Sequence, residues 1–289
     1  MPKNQLIKKI RDVEGLVCFP YDIIDERIIA NAPRLRVIST YSVGFDHIDI
    51  NFAKKRGIRV GYTPEILTNA TADLTVTIML DLVRRATEGD RLIRRGEWRV
   101  IFGAHDYVGI DLEGKTLGIL GMGRIGQIVA KRARAFGLEI LYHNRNRLDS
   151  RAEKRLHARY VKFEDLIANS DILSIHIPYS KATHGIINKK IFQKMKKNSY
   201  LVNTARGKII NEQDLIEALK KKRIAGAALD VFENEPIGES NKLKSLQNVV
   251  LTPHIGSSTL ETRKKMADIT VKNLIFGLQG KKMVYSVWS

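Results

Sequence analysis

Short apolar runs alternate with amphipathic stretches over residues 115–251. The runs are rich in β-branched side chains, which is typical of strands. Between the runs, apolar residues recur at helical spacing, for example over 125–136 and 212–221. Because strands that alternate with helices pair in parallel through right-handed crossovers, the pattern predicts a doubly wound α/β sheet. The predicted strands span residues 116–120, 139–142, 172–177, 200–203, 225–229 and 249–251.

The first part of the chain shows the same alternation on a smaller scale. Apolar runs at 16–19, 37–41 and 59–62 predict three further strands, and helical stretches separate them. The sequence therefore predicts a second, smaller α/β unit.

Two long helical patterns indicate how the two parts are joined. One spans about residues 69–85 and is expected to connect the parts, and the other spans about 260–278 and is expected to return to the first part. We therefore expect a smaller domain made of residues 1–67 and 260–289, and a larger domain made of residues 68–259. Ligands of open α/β sheets bind at the carboxyl ends of strands and at domain interfaces, so a cleft between the two domains is the expected substrate site.

The composition agrees with a globular protein and excludes several other classes. The chain has 289 residues, of which 44% are hydrophobic and 28% charged. No apolar run reaches the roughly 18 residues that cross a bilayer, and the N-terminus lacks the apolar core of a secretory signal, so we expect a cytoplasmic protein without membrane contact. The single cysteine, Cys18, excludes an internal disulfide, and no histidine spacing suggests a metal site.

The formal charge of +18 is the feature that suggests a different function, because basic proteins can bind nucleic acid. The lysines and arginines, however, fall in short scattered clusters, such as 54–56 and 220–223, at the polar ends of predicted helices. No aromatic interleaving or nucleic-acid motif accompanies them. We interpret the charge as solvated surface and keep a nucleic-acid binder as the last alternative.

A glycine-rich turn lies directly between the predicted strand 116–120 and the helix that follows it. Gly121 permits a tight turn, Gly123 allows a pyrophosphate to approach the backbone, and Gly126 allows close packing of helix and strand. Arg124 and Ile125 lie at the helix N-terminus, where free N–H groups and the helix dipole favour phosphate. The placement of this Gly-x-Gly-x-x-Gly pattern predicts a dinucleotide site.

The residues after the second strand of the large domain bear on which dinucleotide binds. NAD sites usually place a carboxylate there for the ribose 2′-hydroxyl, but this chain has Asn144, Arg145 and Arg147, and no acid before Asp149. Arginine binds phosphate through bidentate, charge-assisted hydrogen bonds. The sequence therefore favours NADP over NAD, with exposed loop arginines as the alternative interpretation.

Three further stretches end predicted strands of the same sheet and carry Arg206, Glu235 and His254. An arginine can hold a substrate carboxylate, a histidine can protonate a carbonyl oxygen as hydride arrives, and a glutamate can orient the imidazole and favour its protonated form. Because the carboxyl ends of parallel strands meet at one edge, these groups are expected to converge. Together they form a complete site for reducing a 2-keto acid.

These motifs in this order resemble the D-isomer-specific 2-hydroxyacid dehydrogenases, and within that family the chain is most similar to glyoxylate and hydroxypyruvate reductases. The resemblance covers nearly the whole chain, including residues 42–49, 57–64, 121–127 and 254–257. It implies a Rossmann-type cofactor domain, a flavodoxin-like substrate domain, and NADPH- or NADH-dependent reduction of glyoxylate or hydroxypyruvate to the D-2-hydroxy acid. D-3-phosphoglycerate dehydrogenase and other enzymes of the family remain alternatives for the substrate.

The resemblance also assigns roles to individual residues. It implies that Arg206, Glu235 and His254 are the catalytic residues. The residues that it assigns to substrate binding are Val43, Gly44, Arg206 and Ser257. To the cofactor-binding residues named above it adds Pro178, Thr204, Asp230 and Gly256, with Asp230 holding the nicotinamide amide. It further implies a homodimer, for which the apolar segment 98–102 is the candidate contact.

The chain departs from the family at its beginning. The resemblance implies a first domain that starts about two strands earlier, so we expect this sheet to lack its first strands and to expose the strand at 16–19 as an edge. The turn at Val43 and Gly44 belongs to this reduced domain. A nucleotide-binding protein with impaired turnover is therefore the alternative from another functional class.

Overall fold

The computed structural model describes residues 3–288. The packing divides the chain into two units, one made of Met1–Ala70 with Ser257–Ser289 and the other of Thr71–Gly256. No helix in the described part of the chain is long and apolar enough to cross a membrane. The same residues contain no group of three or more histidine, cysteine, aspartate or glutamate side chains that could hold a metal ion.

The first unit is a parallel sheet of three strands, covered by helices. Its elements are α1 (Lys3–Lys9), β1 (Gly15–Cys18), α2 (Glu26–Ala30), β2 (Val37–Thr40), α3 (Ile50–Lys55), β3 (Arg59–Gly61) and the C-terminal α11 (Leu260–Leu278). The strand order is β1-β2-β3, so β2 is central and β1 lies at an edge. All four residues of β2 are buried, and Ser39 on this strand donates a hydrogen bond to the carbonyl of Thr270 in α11 at 2.8 Å.

The second unit contains a parallel sheet of seven strands. These are β4 (Thr116–Leu120), β5 (Glu139–His143), β6 (Ala158–Tyr160), β7 (Ile172–Ile175), β8 (Tyr200–Asn203), β9 (Gly226–Leu229) and β10 (Val249–Leu251). The order β10-β9-β8-β7-β4-β5-β6 places the first strand of the unit inside the sheet. The chain therefore runs to one side as far as β6 and then to the other from β7, which is the doubly wound topology.

Helices cover both faces of this sheet. The chain passes from the first unit to the second within α4 (Thr68–Arg84), and the remaining helices are α5 (Ala86–Arg94), α6 (Arg124–Ala133), α7 (Ser150–Leu156), α8 (Phe163–Asn169), α9 (Lys189–Lys194) and α10 (Glu212–Lys220). Neighbouring strand residues enter different cores: Ile172 joins one apolar cluster and Leu173 the other. Burial on both faces explains why the strands are apolar throughout rather than alternating.

The predicted fold class is confirmed, and the differences from the predicted elements are local. The predicted strand at 172–177 ends at Ile175, and the chain beyond it turns toward the glycine loop. The edge strand β6 was not predicted, because its sequence Ala-Arg-Tyr is short and mostly polar. A strand of this kind is recognisable only from its pairing with β5.

Candidate active site

The glycine turn joins β4 to α6, and the backbone there has no room for side chains at two of its three glycines. Gly121 has a φ of +103°, and a Cβ on it would lie 2.6 Å from the backbone of His176. A Cβ on Gly126 would lie 2.3 Å from the carbonyl oxygen of Gly121. Gly123 differs, because nothing lies within 4 Å of the position of its Cβ. Two glycines are thus needed for packing, and the third leaves open space beside the N-terminus of α6, as a pyrophosphate requires.

The loop after β5 is attached to this turn. The side-chain oxygen of Asn144 accepts a hydrogen bond from the backbone N–H of Met122 at 2.7 Å. Arg145 is exposed, whereas Arg147 donates from Nε and Nη2 to Glu153 at 2.8 Å each. Of the three cofactor-binding residues predicted on this loop, Asn144 therefore binds the glycine turn and Arg147 is paired with a carboxylate.

His254 and Glu235 form the closest polar pair of the site. Nδ1 of His254 lies 2.6 Å from Oε2 of Glu235. The other carboxylate oxygen accepts the backbone N–H of Phe232 at 2.9 Å, which fixes the glutamate to its own loop. Because Nδ1 donates to the carboxylate, Nε2 is the ring atom that can face a substrate, and the histidine side chain is 37% exposed.

Partial burial raises the pKa of Glu235, but the hydrogen bond and charge of His254 outweigh it, so the pKa lies below its ordinary value. The nearby charge of Arg206 acts in the same direction. The carboxylate is therefore ionised at neutral pH, as an acceptor for the imidazole must be.

Asp230 fixes the segment that carries the histidine. Asp230 follows β9 directly and is 1% exposed. Its carboxylate accepts hydrogen bonds from the Thr252 hydroxyl at 2.6 Å and from the backbone N–H groups of Ile255 and Gly256 at 2.8 Å each. His254, which lies between these donors, has a left-handed φ of +53°. Non-glycine residues rarely adopt this conformation, and the three bonds of Asp230 hold it in place.

Arg206 follows β8, and two contacts fix the backbone there, one at its own carbonyl and one at the next residue. Its carbonyl accepts a hydrogen bond from the Asn203 side chain at 2.9 Å. A Cβ on the next residue, Gly207, would lie 1.9 Å from the carbonyl carbon of Phe232, so the two loops touch backbone to backbone. This contact places Arg206 near Glu235, in agreement with the effect of its charge on that carboxyl.

Five further predicted residues fall into two groups. Thr204 and Pro178 lie beyond the carboxyl ends of β8 and β7, and the Thr204 hydroxyl donates to Thr75 of α4 at 2.8 Å. Val43, Gly44 and Ser257 belong to the first unit. There, the N–H of Gly44 donates to the hydroxyl of Ser42 at 3.1 Å.

Comparison with known proteins decides the family. Residues 76–256 match the sequence model of the D-isomer specific 2-hydroxyacid dehydrogenase NAD binding domain. A glyoxylate reductase of Thermococcus litoralis is 47% identical over 283 residues, which cover 97% of this chain and 85% of that protein. The chain belongs to the D-isomer-specific 2-hydroxyacid dehydrogenases.

Solved structures agree with this assignment. A Thermus thermophilus protein superposes with a TM-score of 0.92 at 41% identity, covering 99% of this chain and 90% of that one. An NADPH-dependent glyoxylate/hydroxypyruvate reductase of Sinorhizobium meliloti, solved with NADP and malonate, gives a TM-score of 0.88 at 31% identity and covers 97% and 85% of the two chains. The predicted resemblance is confirmed, and this dehydrogenase uses a nicotinamide cofactor, for which its glycine turn is shaped.

Two residues that matter to the site were not predicted. Thr75 lies on α4, where its hydroxyl joins the carbonyl of Thr71 to the hydroxyl of Thr204. Glu153 lies on α7 and pairs with Arg147. Neither belongs to a motif, and only the packing of helices against the sheet brings them to the loops, so the sequence carried no signal for them.

The three glycines of the turn should respond differently to a single added methyl group. We expect Gly123→Ala to leave the melting temperature of the dehydrogenase close to the wild-type value and to weaken NADH and NADPH binding about tenfold or more, because the added Cβ occupies space that the pyrophosphate needs. Gly126→Ala should instead lower the melting temperature, because its Cβ meets a backbone oxygen. Calorimetric melting and fluorescence titration measure both effects. Normal cofactor affinity in Gly123→Ala would contradict the assignment of the open space.

The lowered pKa of Glu235 predicts a pH-dependent contribution to stability. A carboxyl whose pKa is lower in the folded than in the unfolded state stabilises the fold above its ordinary pKa of 4.5 and loses that contribution as the pH falls through the lowered value. Wild type should therefore exceed Glu235→Gln in stability at pH 7, and the difference should close below pH 4.5. Urea unfolding from pH 3 to pH 7 measures it, with Glu239→Gln, an exposed carboxylate of the same loop, as the control. A constant difference across this range would disprove the ionic pairing.

Proposed function

We propose that this chain reduces glyoxylate or hydroxypyruvate to the corresponding 2-hydroxy acid, with NADPH preferred over NADH. The observation that carries the proposal is the 2.6 Å contact between His254 and Glu235, formed beside Arg206 at the carboxyl edge of the sheet. The 47% identity with a glyoxylate reductase supports the choice of substrate. The glycine turn supports the choice of a dinucleotide cofactor.

The chemistry of each side chain follows from its surroundings. The planar guanidinium of Arg206 binds the substrate carboxylate with two hydrogen bonds and polarises the neighbouring carbonyl. His254 donates the proton on Nε2 to the carbonyl oxygen while negative charge develops there, which typically contributes about 10² to 10⁴ in rate. Glu235 holds Nδ1 and stabilises the imidazolium before transfer. A reduced nicotinamide, when bound, supplies the hydride.

Other residues complete the proposed binding sites. We assign Val43, Gly44 and Ser257 of the smaller unit to the substrate carboxylate. We assign the nicotinamide end of the cofactor to the residues that surround the carboxyl edge of the larger sheet, which are Pro178, Thr204, Asp230 and Gly256. Asp230 retains acceptor capacity for a carboxamide N–H beyond its three protein hydrogen bonds, since a carboxylate offers about four lone-pair sites.

The preference for NADPH rests on the loop after β5. A carboxylate there would bind the ribose 2′-hydroxyl and repel a 2′-phosphate, but the strand is followed by Asn144. The next residue, Arg145, is exposed and positively charged. Steady-state rates with glyoxylate, hydroxypyruvate and larger 2-keto acids, each with both cofactors, test the proposal. The absence of NADPH oxidation with both small substrates would overturn it.

Arg206→Lys separates charge from geometry at the proposed substrate carboxylate. Lysine keeps the positive charge but cannot make two parallel hydrogen bonds, so we expect kcat/KM for glyoxylate to fall by about 10² or more with the fold unchanged. Circular dichroism checks the fold. Arg223→Lys is the matched control, because within residues 3–288 the Arg223 side chain donates to the backbone carbonyls of Gln193 and Met195 and to no carboxylate. Near-normal efficiency in Arg206→Lys would show that another group holds the carboxylate.

We also propose that the enzyme is a homodimer through the segment 98–102. Its apolar side chains are unusually exposed: Trp98 is 54% exposed, Val100 72%, Ile101 91% and Phe102 41%. Contiguous exposed apolar surface of this kind marks an interaction site.

Replacing the most exposed of these residues with a charge should therefore break the dimer. We expect wild type to have the mass of a dimer at micromolar concentration by light scattering, and Ile101→Glu to have that of a monomer. Ile23→Glu introduces the same charge at an isoleucine that is 67% exposed in the other unit, and it should remain dimeric. A monomeric wild type, or dissociation by both variants, would refute the assigned contact.

A further inference from the structure

The arginine at the end of the cofactor loop is held by a hydrogen-bond network that the proposed function does not use. Arg147 donates from Nε to Oε1 of Glu153 and from Nη2 to Oε2, each at 2.8 Å, in a parallel two-bond arrangement. The Tyr142 hydroxyl also donates to Oε1, at 2.6 Å, and accepts the backbone N–H of Leu148 at 3.0 Å. The network therefore joins β5, the loop after it and α7.

The charges of this network persist across the working pH range of an enzyme. Hydrogen bonds from Arg147 and then from Tyr142 lower the pKa of Glu153 to about 2. Burial, and then the hydrogen bond to Glu153, raise the pKa of Tyr142 to about 12, so the phenol remains a donor. The Glu153 side chain is 13% exposed and that of Arg147 is 64% exposed. Glu153 is thus ionised at any pH at which an enzyme works and is largely shielded from solvent, and Arg147 stays paired with it.

Arg145 lies two residues before Arg147 on the same loop and differs from it in having no carboxylate bound to it among the described residues. Its side chain is exposed, and within residues 3–288 it has no hydrogen bond or ion pair. The preceding residue, Asn144, binds the backbone of Met122 in the glycine turn at 2.7 Å. Arg145 therefore extends from a point of the loop that is fixed to the phosphate-binding turn, and its charge is not neutralised.

We propose that Glu153 determines the strength of the cofactor preference by holding Arg147 away from the ribose 2′-phosphate, which leaves Arg145 as the main phosphate-binding cation. The proposal rests on the proposed use of NADPH. Its physical basis is competition, since the fork of Arg147 that grips the carboxylate is the one that would grip phosphate oxygens. A neutral Arg147–Glu153 pair attracts a phosphate far less than an unpaired arginine does.

The experiment compares two cofactor fragments that differ by one phosphate, 2′,5′-ADP and 5′-AMP, by isothermal titration calorimetry without turnover. The variants of the full chain are Arg145→Ala, Arg147→Ala, Glu153→Gln and the double variant Glu153→Gln with Arg147→Ala. Glu139→Gln is the matched control, because this exposed carboxylate lies on the same strand, β5, and has no side-chain partner among the described residues. Glu153→Ala repeats the test in case the glutamine retains the arginine.

We expect Arg145→Ala to weaken 2′,5′-ADP about tenfold or more, and Arg147→Ala to weaken it by less than about threefold, through the unpaired charge that it leaves on Glu153. Glu153→Gln should tighten 2′,5′-ADP by about three- to tenfold and leave 5′-AMP nearly unchanged, because Arg147 becomes available to the phosphate. In the Arg147→Ala background this tightening should become smaller, because only the removal of the Glu153 charge remains. The reduction identifies competition for one side chain, since a purely long-range effect of that charge would be the same in both backgrounds.

Several results would overturn the proposal. These are tightening by Glu153→Gln that is undiminished without Arg147, tightening of the same size in Glu139→Gln, and a loss in Arg147→Ala as large as that in Arg145→Ala. Failure of the wild-type enzyme to bind either fragment would overturn it together with the cofactor assignment. Normal binding of both fragments by an enzyme that does not reduce glyoxylate would refute only the proposed substrate, and the comparison of variants would still decide the role of Glu153.

Discussion

Asp230 lies at the carboxyl end of β9, and its two oxygens accept three hydrogen bonds from the segment after β10. The residue is buried, and an unpaired carboxylate there would carry a large desolvation cost, as its raised pKa shows. The bonds that offset part of this cost also set the backbone around His254. The imidazole is therefore positioned by the need to solvate a buried charge, and Glu235, which lies on the loop that begins at Asp230, binds its Nδ1.

The parallel sheet explains why so few residues suffice to build this site. In parallel strands every carboxyl end faces the same edge, so loops after β4, β8, β9 and β10 deliver their side chains to one region without long excursions. The glycines of the turn and Gly207 then remove the side chains that would keep these loops apart. Close backbone approach, rather than a deep pocket within either unit, brings Arg206, Glu235 and His254 together.

The parallel sheet and its close backbone contacts also explain which parts of the fold and of the site could be predicted from the sequence. The fold class followed from the alternation of apolar runs and helical stretches, and the position of each motif followed from its place directly after a strand. The short edge strand β6 has no such pattern of its own. Thr75 and Glu153 reach the site from α4 and α7, and residue type alone cannot show which partners a helix presents to a loop. The sequence therefore predicts motifs well and their supporting contacts poorly.

The arginines of the cofactor loop show why this distinction matters for specificity. The chain has 49 basic and 31 acidic residues, so carboxylates are scarce and most cations face solvent. Arg145 and Arg147 look equivalent in the sequence, yet one is exposed without a partner in the described chain and the other is bound twice by Glu153. Affinity for a phosphate depends on the charge that remains after such pairing. In a chain this basic, the placement of a single carboxylate can therefore influence the choice of cofactor more than the number of arginines in the loop.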